Sequence, residues 1–205
     1  LLKRRIARTQ RCSINNSMGF TSFDIDTALA ILRAEGTLLY PSDTLWGIGC
    51  DARSDRGVNA IYALKKRPDA KALICLVSDR EMLETHVGQI DPLLQPYRVD
   101  ERPTTVIYPS VNGLSKHLGA ADGSVGIRLV TDTFCQALIQ GLGAPIVSTS
   151  ANLAGDPSPT AFASIQDEIL AGVDHVVPLK LNEKQTQASR IVRVAFKRTI
   201  EILRP

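Results

Sequence analysis

The chain has 205 residues, enough for one large domain or two small ones, and 44% of them are hydrophobic, an ordinary globular value. No apolar run approaches the roughly 20 residues of a membrane span, so no membrane association is predicted. The four cysteines form no CxxC pair and the three histidines show no ligand spacing. This pattern argues against a disulfide framework or a structural zinc site, and indicates reduced thiols in a cytoplasmic protein.

The positive net charge comes from the start of the chain. Residues 1–17 contain no acid and five cations, whose removal changes the net charge from +3 to −2. We predict that residues 1–17 are a basic extension outside the fold, that Met18 is the natural start, and that residues 18–205 form one domain. A nucleic-acid-binding arm and a targeting peptide are the alternatives. The five cations are Lys3, Arg4, Arg5, Arg8 and Arg11.

Helical and strand patterns alternate from Phe23 to the end of the chain, and no linker interrupts them. This alternation predicts one α/β domain with a mixed sheet. Helical spacing covers residues 24–36 with Gly36 as the stop, 54–66, two short helices within 79–98, 131–143 closed by Gly141 or Gly143, and 160–172. Strand patterns cover residues 37–41, 71–78, 104–109, 125–130, 144–148, 175–179, 190–194 and 199–204.

The first stretch with chemical interest is YPSDTLWGIGCDA, residues 40–52. The letters GIGCDA match the G-x-G-x-x-A spacing of a dinucleotide-binding fingerprint, but the next predicted helix begins too late, near Asp55. We therefore predict a strand, a turn and a second extended piece through Trp46. Thr44 then offers a hydroxyl from the turn. An ordinary turn without a ligand is the alternative.

The second stretch is LKKRPDAK, residues 64–71, where four basic residues cluster at a predicted helix end. Pro68 disfavours the helical conformation for Arg67. If the helix ends at Lys66, Lys65 and Arg67 can converge on one anion, and this combination suits a carboxylate or a phosphate. The alternative is a solvated helix end whose cations complement the helix dipole.

The third stretch is APIVSTSANLAGDPSPT, residues 144–160, in which a short apolar run ends in small polar residues. Ser148, Ser150, Asn152 and the backbone N–H groups can bind the polar edges or phosphates of a nucleotide. Ligands of α/β sheets sit at the carboxyl ends of strands. Neither a P-loop nor a G-x-S-x-G motif is present, which argues against a P-loop enzyme and a serine hydrolase. A Ser- and Asn-rich turn is the alternative.

These three stretches, in this order, resemble the YrdC family, the threonylcarbamoyl-AMP synthases. PSDTLWG is similar to the family's P-T-[DE]-T-x-x-G, KKRP to K-x-R-P, and STSANLAG to S-T-S-A-N-x-S-G. VGIRLV resembles the family's V-x-V-R strand and puts Arg128 in its place, while ASRIVRV…ILRP resembles the closing segment and gives Ser189 and Arg204. Departures are Ser42 in place of Thr, Arg190 beside Ser189, and a missing P-G-P before Thr105.

The resemblance covers about residues 23–205. It implies a catalytic domain of the YrdC-like fold, with a twisted, mixed parallel and antiparallel open sheet and a concave ligand groove. It implies that the chain is an L-threonylcarbamoyladenylate synthase, a nucleotidyltransferase that makes threonylcarbamoyl-AMP and pyrophosphate from L-threonine, bicarbonate and ATP. Mg²⁺ would accompany ATP, with no prosthetic group. A partner transferase would then pass the threonylcarbamoyl group to position 37 of tRNA.

The family's site residues carry over to matching positions of this sequence. The resemblance implies catalytic roles for Lys65 and Arg67, at the threonine carboxylate or the phosphates. It assigns threonine binding to Thr44, Ser189 and Arg128, with a bracing role as the alternative for Arg128. No side chain is identified as a metal ligand or a general base. The residues assigned to ATP are Lys71, Thr105, Ser148, Ser150, Asn152 and Arg204.

Two other classes of function stay open. An RNA-binding module of the same fold is disfavoured by the charge of −2 outside the extension and by the aromatic content of 5%. A weak RNA contact is kept as an alternative. A paralogue with other carbamoyl or nucleotide chemistry is the second alternative, and the motifs do not separate it from the synthase.

Overall fold

A computed structural model describes residues 20–66, 72–99, 102–185, 187–195 and 198–205. The predicted extension 1–17, Met18, Arg67 and Lys71 lie outside the described residues. Within these ranges, no helix is both long and apolar enough to cross a membrane.

The helices begin where the local capping signals predict. Thr21 and Asp24 form a reciprocal capping box at the first helix, and Ser54, Asp79 and Asp132 each accept a backbone N–H at the start of a later one. Two 3₁₀ turns cover Pro92–Leu94 and Phe162–Ser164. The α-helices are α1 Ser22–Arg33, α2 Asp55–Lys65, α3 Arg80–Val87, α4 Gln95–Val99, α5 Thr133–Leu142 and α6 Asp167–Gly172.

The described strands form one sheet with the order β7-β1-β2-β6-β3-β5-β4-β8-β9. The pairs β1/β7, β3/β5 and β4/β8 are parallel and the other neighbours are antiparallel, so the prediction of a single α/β domain with a mixed sheet is confirmed. The strands are β1 Leu38–Tyr40, β2 Gly47–Gly49, β3 Ile74–Val77, β4 Thr104–Tyr108, β5 Val125–Leu129, β6 Ile146–Ser150, β7 His175–Val176, β8 Arg190–Ala195 and β9 Thr199–Arg204.

Apolar residues form two clusters, one on each face of the sheet. Leu29 of α1 and Leu138 of α5 pack in one cluster with Ile146 of β6, while Val147 belongs to the other cluster with Ile61 of α2. Because side chains alternate along a strand, Ser148 lies on the same face as Ile146. The face covered by α1 and α5 therefore changes from apolar to polar within one strand, and this change positions the site.

Four sequence predictions of local structure are wrong in detail. The second extended piece, predicted to run through Trp46, is β2 and begins only at Gly47, because the turn extends to Leu45. Gly36 is not the stop of α1, because Glu35 takes the left-handed conformation with φ of 59° and the N–H of Gly36 then reaches the Ile31 carbonyl. The predicted helix over 160–172 is reduced to a 3₁₀ turn and α6, since residues 160 and 161 bind the segment around Gln185. The strand predicted over 175–179 has only two residues, because Pro178 cannot donate to the ladder.

Candidate functional site

A cavity of about 270 Å³ opens on the polar part of the sheet face described above. Its walls come from the turn before β2, the starts of β3 and β8, the middle of β4 and β5, and the ends of β6 and β9. Residues that are distant in sequence thus meet at one place. Among those predicted from the sequence, the cavity is lined by Thr44, Arg128, Ser148, Ser150, Ser189 and Arg204.

The turn before β2 is fixed by hydrogen bonds within itself. The Ser42 hydroxyl accepts from the Thr44 N–H at 3.2 Å, donates to the Leu45 carbonyl at 2.9 Å, and lies 3.0 Å from Thr44 Oγ1. Ser42, which stands where the resembled family has Thr, is 1% exposed. Its hydroxyl therefore shapes the turn, and the hydroxyl of Thr44 lines the cavity.

Arg128 of β5 braces the same turn from the floor of the cavity. Its guanidinium forms an ion pair with Asp43, and its Nη2 donates to Thr44 Oγ1 at 3.3 Å. The hydroxyl of Thr131 donates to the second oxygen of Asp43 at 3.3 Å. The side chain of Arg128 is 3% exposed, so its charge is balanced largely by Asp43.

Arg204 at the end of β9 supplies a second cation to the cavity. Its Nε donates to the Ser189 carbonyl at 2.7 Å and its Nη2 to the Ser189 hydroxyl at 3.0 Å. That hydroxyl also lies 2.8 Å from Thr105 Oγ1. Burial, and then the charge of Arg128, lowers the pKa of Arg204. No described carboxylate pairs with Arg204, so an anionic ligand would be favoured beside it.

Lys65 lies behind the end of β6 and outside the cavity lining. The residue is 1% exposed, and its ammonium donates to the carbonyl oxygens of Ser150 and, at 2.6 Å, Asn152. The last residue of α2 thereby fixes the backbone beyond β6. The predicted convergence of Lys65 and Arg67 on one anion stays a prediction, because Arg67 lies outside the described residues.

The backbone of the loop after β6 does not have the predicted orientation. The N–H of Ala151 donates to Trp46, that of Asn152 to Ser150, and that of Ala154 to Lys65, each to a carbonyl oxygen. The N–H of Leu153 reaches the side chain of Gln166. The expectation that these N–H groups face a ligand is therefore wrong, because the loop consumes them to hold its own shape. On this strand end, the polar side chains that line the cavity include those of Ser148 and Ser150.

Asn152 stabilises this loop. Its amide nitrogen donates to the carbonyls of Leu153 and Asp156, both at 2.8 Å, and the residue does not line the cavity. Its Oδ1 is buried and has no hydrogen-bond partner within the described part of the chain. The roles predicted for Asn152 and Lys65 at the substrates stay predictions, and the contacts above add a positioning role to each.

Sequence reasoning missed two residues that shape the site. Asp43 was visible within its motif, but only the fold places it against Arg128, 85 positions away. Gln185 gave no sequence signal, and its side chain contacts the turn before β2.

The described residues offer neither a side-chain metal site nor a reactive thiol. The described ranges contain no group of three or more His, Cys, Asp or Glu residues that could hold a metal ion. Burial raises the pKa of the Cys75 thiol to about 12 and also raises the pKa values of Cys50 and Cys135. These thiols are protonated at neutral pH and are poor nucleophiles.

A family model matches most of the chain. The family model Sua5/YciO/YrdC, described as telomere recombination, matches residues 30–205. A threonylcarbamoyl-AMP synthase of Xanthomonas euvesicatoria pv. vesicatoria is 34% identical over 161 residues, which cover 76% of this chain and 86% of that protein.

Solved structures show the same fold. P. abyssi Sua5 in complex with L-threonine aligns with a TM-score of 0.80 at 21% identity, over 91% of this chain and 55% of that one. E. coli YciO aligns with a TM-score of 0.72 at 21% identity, over 88% and 87% of the two chains. This chain thus spans little more than half of the Sua5 chain and most of the YciO chain.

Proposed function

Because the chain belongs to the Sua5/YciO/YrdC family, we propose that it is a threonylcarbamoyl-AMP synthase that joins L-threonine, bicarbonate and ATP. The observation that carries the proposal is the cavity itself. Arg128 in the cavity is already paired with a carboxylate, whereas Arg204 has no described carboxylate partner. Hydroxyl-bearing residues surround both cations. Such a lining suits a ligand with both anionic and hydroxyl groups.

Threonine fits the part of the cavity between Thr44 and Ser189. Both hydroxyls are fixed by neighbours, Thr44 by Ser42 and Arg128, and Ser189 by Thr105 and Arg204. The P. abyssi relative was solved with L-threonine, which is consistent with an amino-acid site in this fold. Fixed hydroxyls would orient the amino acid so that its carbamate points along the cavity.

ATP fits against the end of β6. The hydroxyls of Ser148 and Ser150 would contact the nucleotide, and Arg204 would lie near its phosphates. In the reaction, the threonine amine and bicarbonate form a carbamate with loss of water. A carbamate oxygen then bonds to the α-phosphorus as the bond to pyrophosphate breaks. Negative charge moves to the leaving group, so cations fixed before the reaction stabilise it.

The magnesium ion would arrive with ATP. The side chains of the described residues that line the cavity include hydroxyls and two cations and no carboxylate, and the nearby Asp43 is engaged by Arg128 and Thr131. This donor set fits an ion held mainly by phosphate oxygens and water, which is the usual state of Mg²⁺ at nucleotides. When bound, the ion would neutralise charge on the phosphates.

Release of pyrophosphate tests the proposal. The full chain is incubated with ATP, L-threonine and bicarbonate, and pyrophosphate should appear only when all three are present. Thr44→Val keeps the side-chain shape and removes the hydroxyl, so the KM for threonine should rise roughly tenfold. Thr85→Val on α3 is the matched control, because Thr85 is exposed and outside the cavity. Pyrophosphate release that ignores threonine would favour a paralogue with other nucleotide chemistry.

We extend the proposal to the product's use. Threonylcarbamoyl-AMP would pass to a transferase that modifies position 37 of tRNA. Adding such a transferase and tRNA to the reaction should yield threonylcarbamoyladenosine in the tRNA, measured by mass spectrometry of its nucleosides. Absence of the modified nucleoside despite pyrophosphate release would contradict this extension alone.

A further inference from the structure

Gln185 is a buried amide between β7 and β8, and its backbone is held firmly. Its N–H donates to the Thr160 carbonyl at 2.7 Å, and its neighbour Lys184 forms a bridge with Ala161. The residue is 8% exposed, although Asn182, Glu183 and Lys184 just before it are exposed. A long polar side chain is therefore directed inward from a surface segment, and its burial calls for hydrogen-bond partners.

The partners are two backbone carbonyls of the turn that precedes β2. With the amide oriented so that its nitrogen faces them, Gln185 donates to the Thr44 carbonyl at 3.1 Å and to the Ser42 carbonyl at 3.2 Å. This orientation follows from chemistry, because two carbonyl oxygens can accept the two hydrogens of an amide nitrogen and would repel an amide oxygen.

These contacts complete the restraints on the turn. Ser42 holds it from within and Arg128 holds the side chains of Asp43 and Thr44. The backbone carbonyls of residues 42 and 44 are held by Gln185. The Gln185 amide therefore restrains the part of the turn that carries Thr44.

We propose that Gln185 is a positioning residue for the amino-acid substrate, holding the turn of residues 42–45 in place. The inference rests on the proposed function and names a residue that acts through Thr44 without touching the substrate. It predicts a selective effect, since the end of β6, where ATP is placed, does not contact Gln185 in the described hydrogen-bond network.

The test separates amino-acid binding from nucleotide binding. Gln185→Glu keeps the side-chain shape and sets a carboxylate against two carbonyls, while Gln185→Met keeps the length and removes the donor without adding charge. Threonine affinity and ATP affinity are each measured by calorimetry with the full chain. Both variants should bind threonine roughly tenfold more weakly, with ATP affinity changed less than about twofold.

Asn182→Asp is the matched control, because it makes the same amide-to-acid change at an exposed position of the same segment. It should leave both affinities unchanged. Equal losses for threonine and ATP, unchanged threonine affinity, or failure of both Gln185 variants to fold would each overturn the positioning role. A wild-type chain that binds no threonine would instead refute the proposed function, so the two failures are distinguishable.

Discussion

Arg128 and Lys65 are both almost fully buried beside the cavity, but they stabilise their neighbours in different ways. Arg128 is paired with the carboxylate of Asp43, whereas Lys65 donates to the carbonyls of Ser150 and Asn152. Loss of Arg128 would leave a largely buried negative charge, while loss of Lys65 would remove the donor to these two carbonyls. The turn before β2 therefore depends on a charge pair, and the end of β6 depends on charge-assisted hydrogen bonds.

The largest loss of stability should follow removal of the Arg128 guanidinium. Arg128→Met should lower the free energy of unfolding by about 3–5 kcal/mol, because Asp43, with 14% of its side chain exposed, loses its partner. Chemical denaturation measures the change. Arg193→Met is the control, since Arg193 and Glu201 pair in an exposed setting and should contribute less than about 1 kcal/mol.

The same comparison can be made sharper with a second substitution. Adding Asp43→Asn to Arg128→Met should recover part of the lost stability, because it removes the unpaired charge. No recovery would contradict the view that an orphaned carboxylate causes the loss.

Removal of the buried Lys65 ammonium should lower the free energy of unfolding by a smaller amount. Lys65→Met keeps most of the aliphatic volume and leaves two carbonyls without their donor, so we expect a loss of about 2 kcal/mol in the free energy of unfolding. Lys66→Met tests the next residue, whose ammonium pairs with Glu168 at the surface, and should change stability by less than about 0.5 kcal/mol. Equal effects at both positions would show that the contacts of Lys65 with the loop contribute nothing.

The exposed carboxylate of Asp79 can be compared with the largely buried carboxylate of Asp43 in its contribution to stability. Asp79 caps α3, and hydrogen bonds from Met82 N–H and then Ser78 lower its pKa. Asp79→Ala should cost about 1 kcal/mol at neutral pH. Because the pKa is lowered in the folded state, this contribution is present above the unfolded pKa of about 3.9 and is lost as the pH falls through the folded value.

Denaturation at several pH values should therefore show wild type and Asp79→Ala converging in acid. Asp26→Ala is the control, because Asp26 is exposed and caps no helix. A difference between Asp79→Ala and wild type that persists unchanged in acid would contradict the capping role.

The smallest expected effect is on the reactivity of the Cys135 thiol, which lies behind the turn before β2. Cys135 Sγ lies 3.7 Å from the Pro41 carbonyl, and burial, followed by the charge of Asp132, raises the pKa of the thiol. Native protein at pH 8 should show almost no alkylation at Cys135 by mass spectrometry, while unfolded protein reacts fully. Arg128→Met should increase the native rate if the ion pair holds the turn closed over this thiol. Rapid alkylation of the wild type would show that the turn opens readily.

Local signals in the sequence predicted the class of fold and several helices, although not the end of α1 or the extent of α6. Ser54 and Asp132 occupy the cap positions, Gly143 closes α5 in the left-handed conformation, and the alternation of patterns gave an α/β domain. These features depend on contacts within a few residues, which a sequence window contains. The ordered motifs also pointed to hydroxyls that the fold brings into one cavity, among them Ser148 and Ser189.

Only the tertiary structure decided which partner each polar group has. Arg128 meets Asp43, Lys65 reaches the end of β6, and Gln185 reaches the turn before β2 across long sequence separations. The same holds for the strand order, in which β6 lies between β2 and β3. Hydrogen bonding and burial at these positions depend on which strands become neighbours, and a strand's residues carry no local mark of that choice.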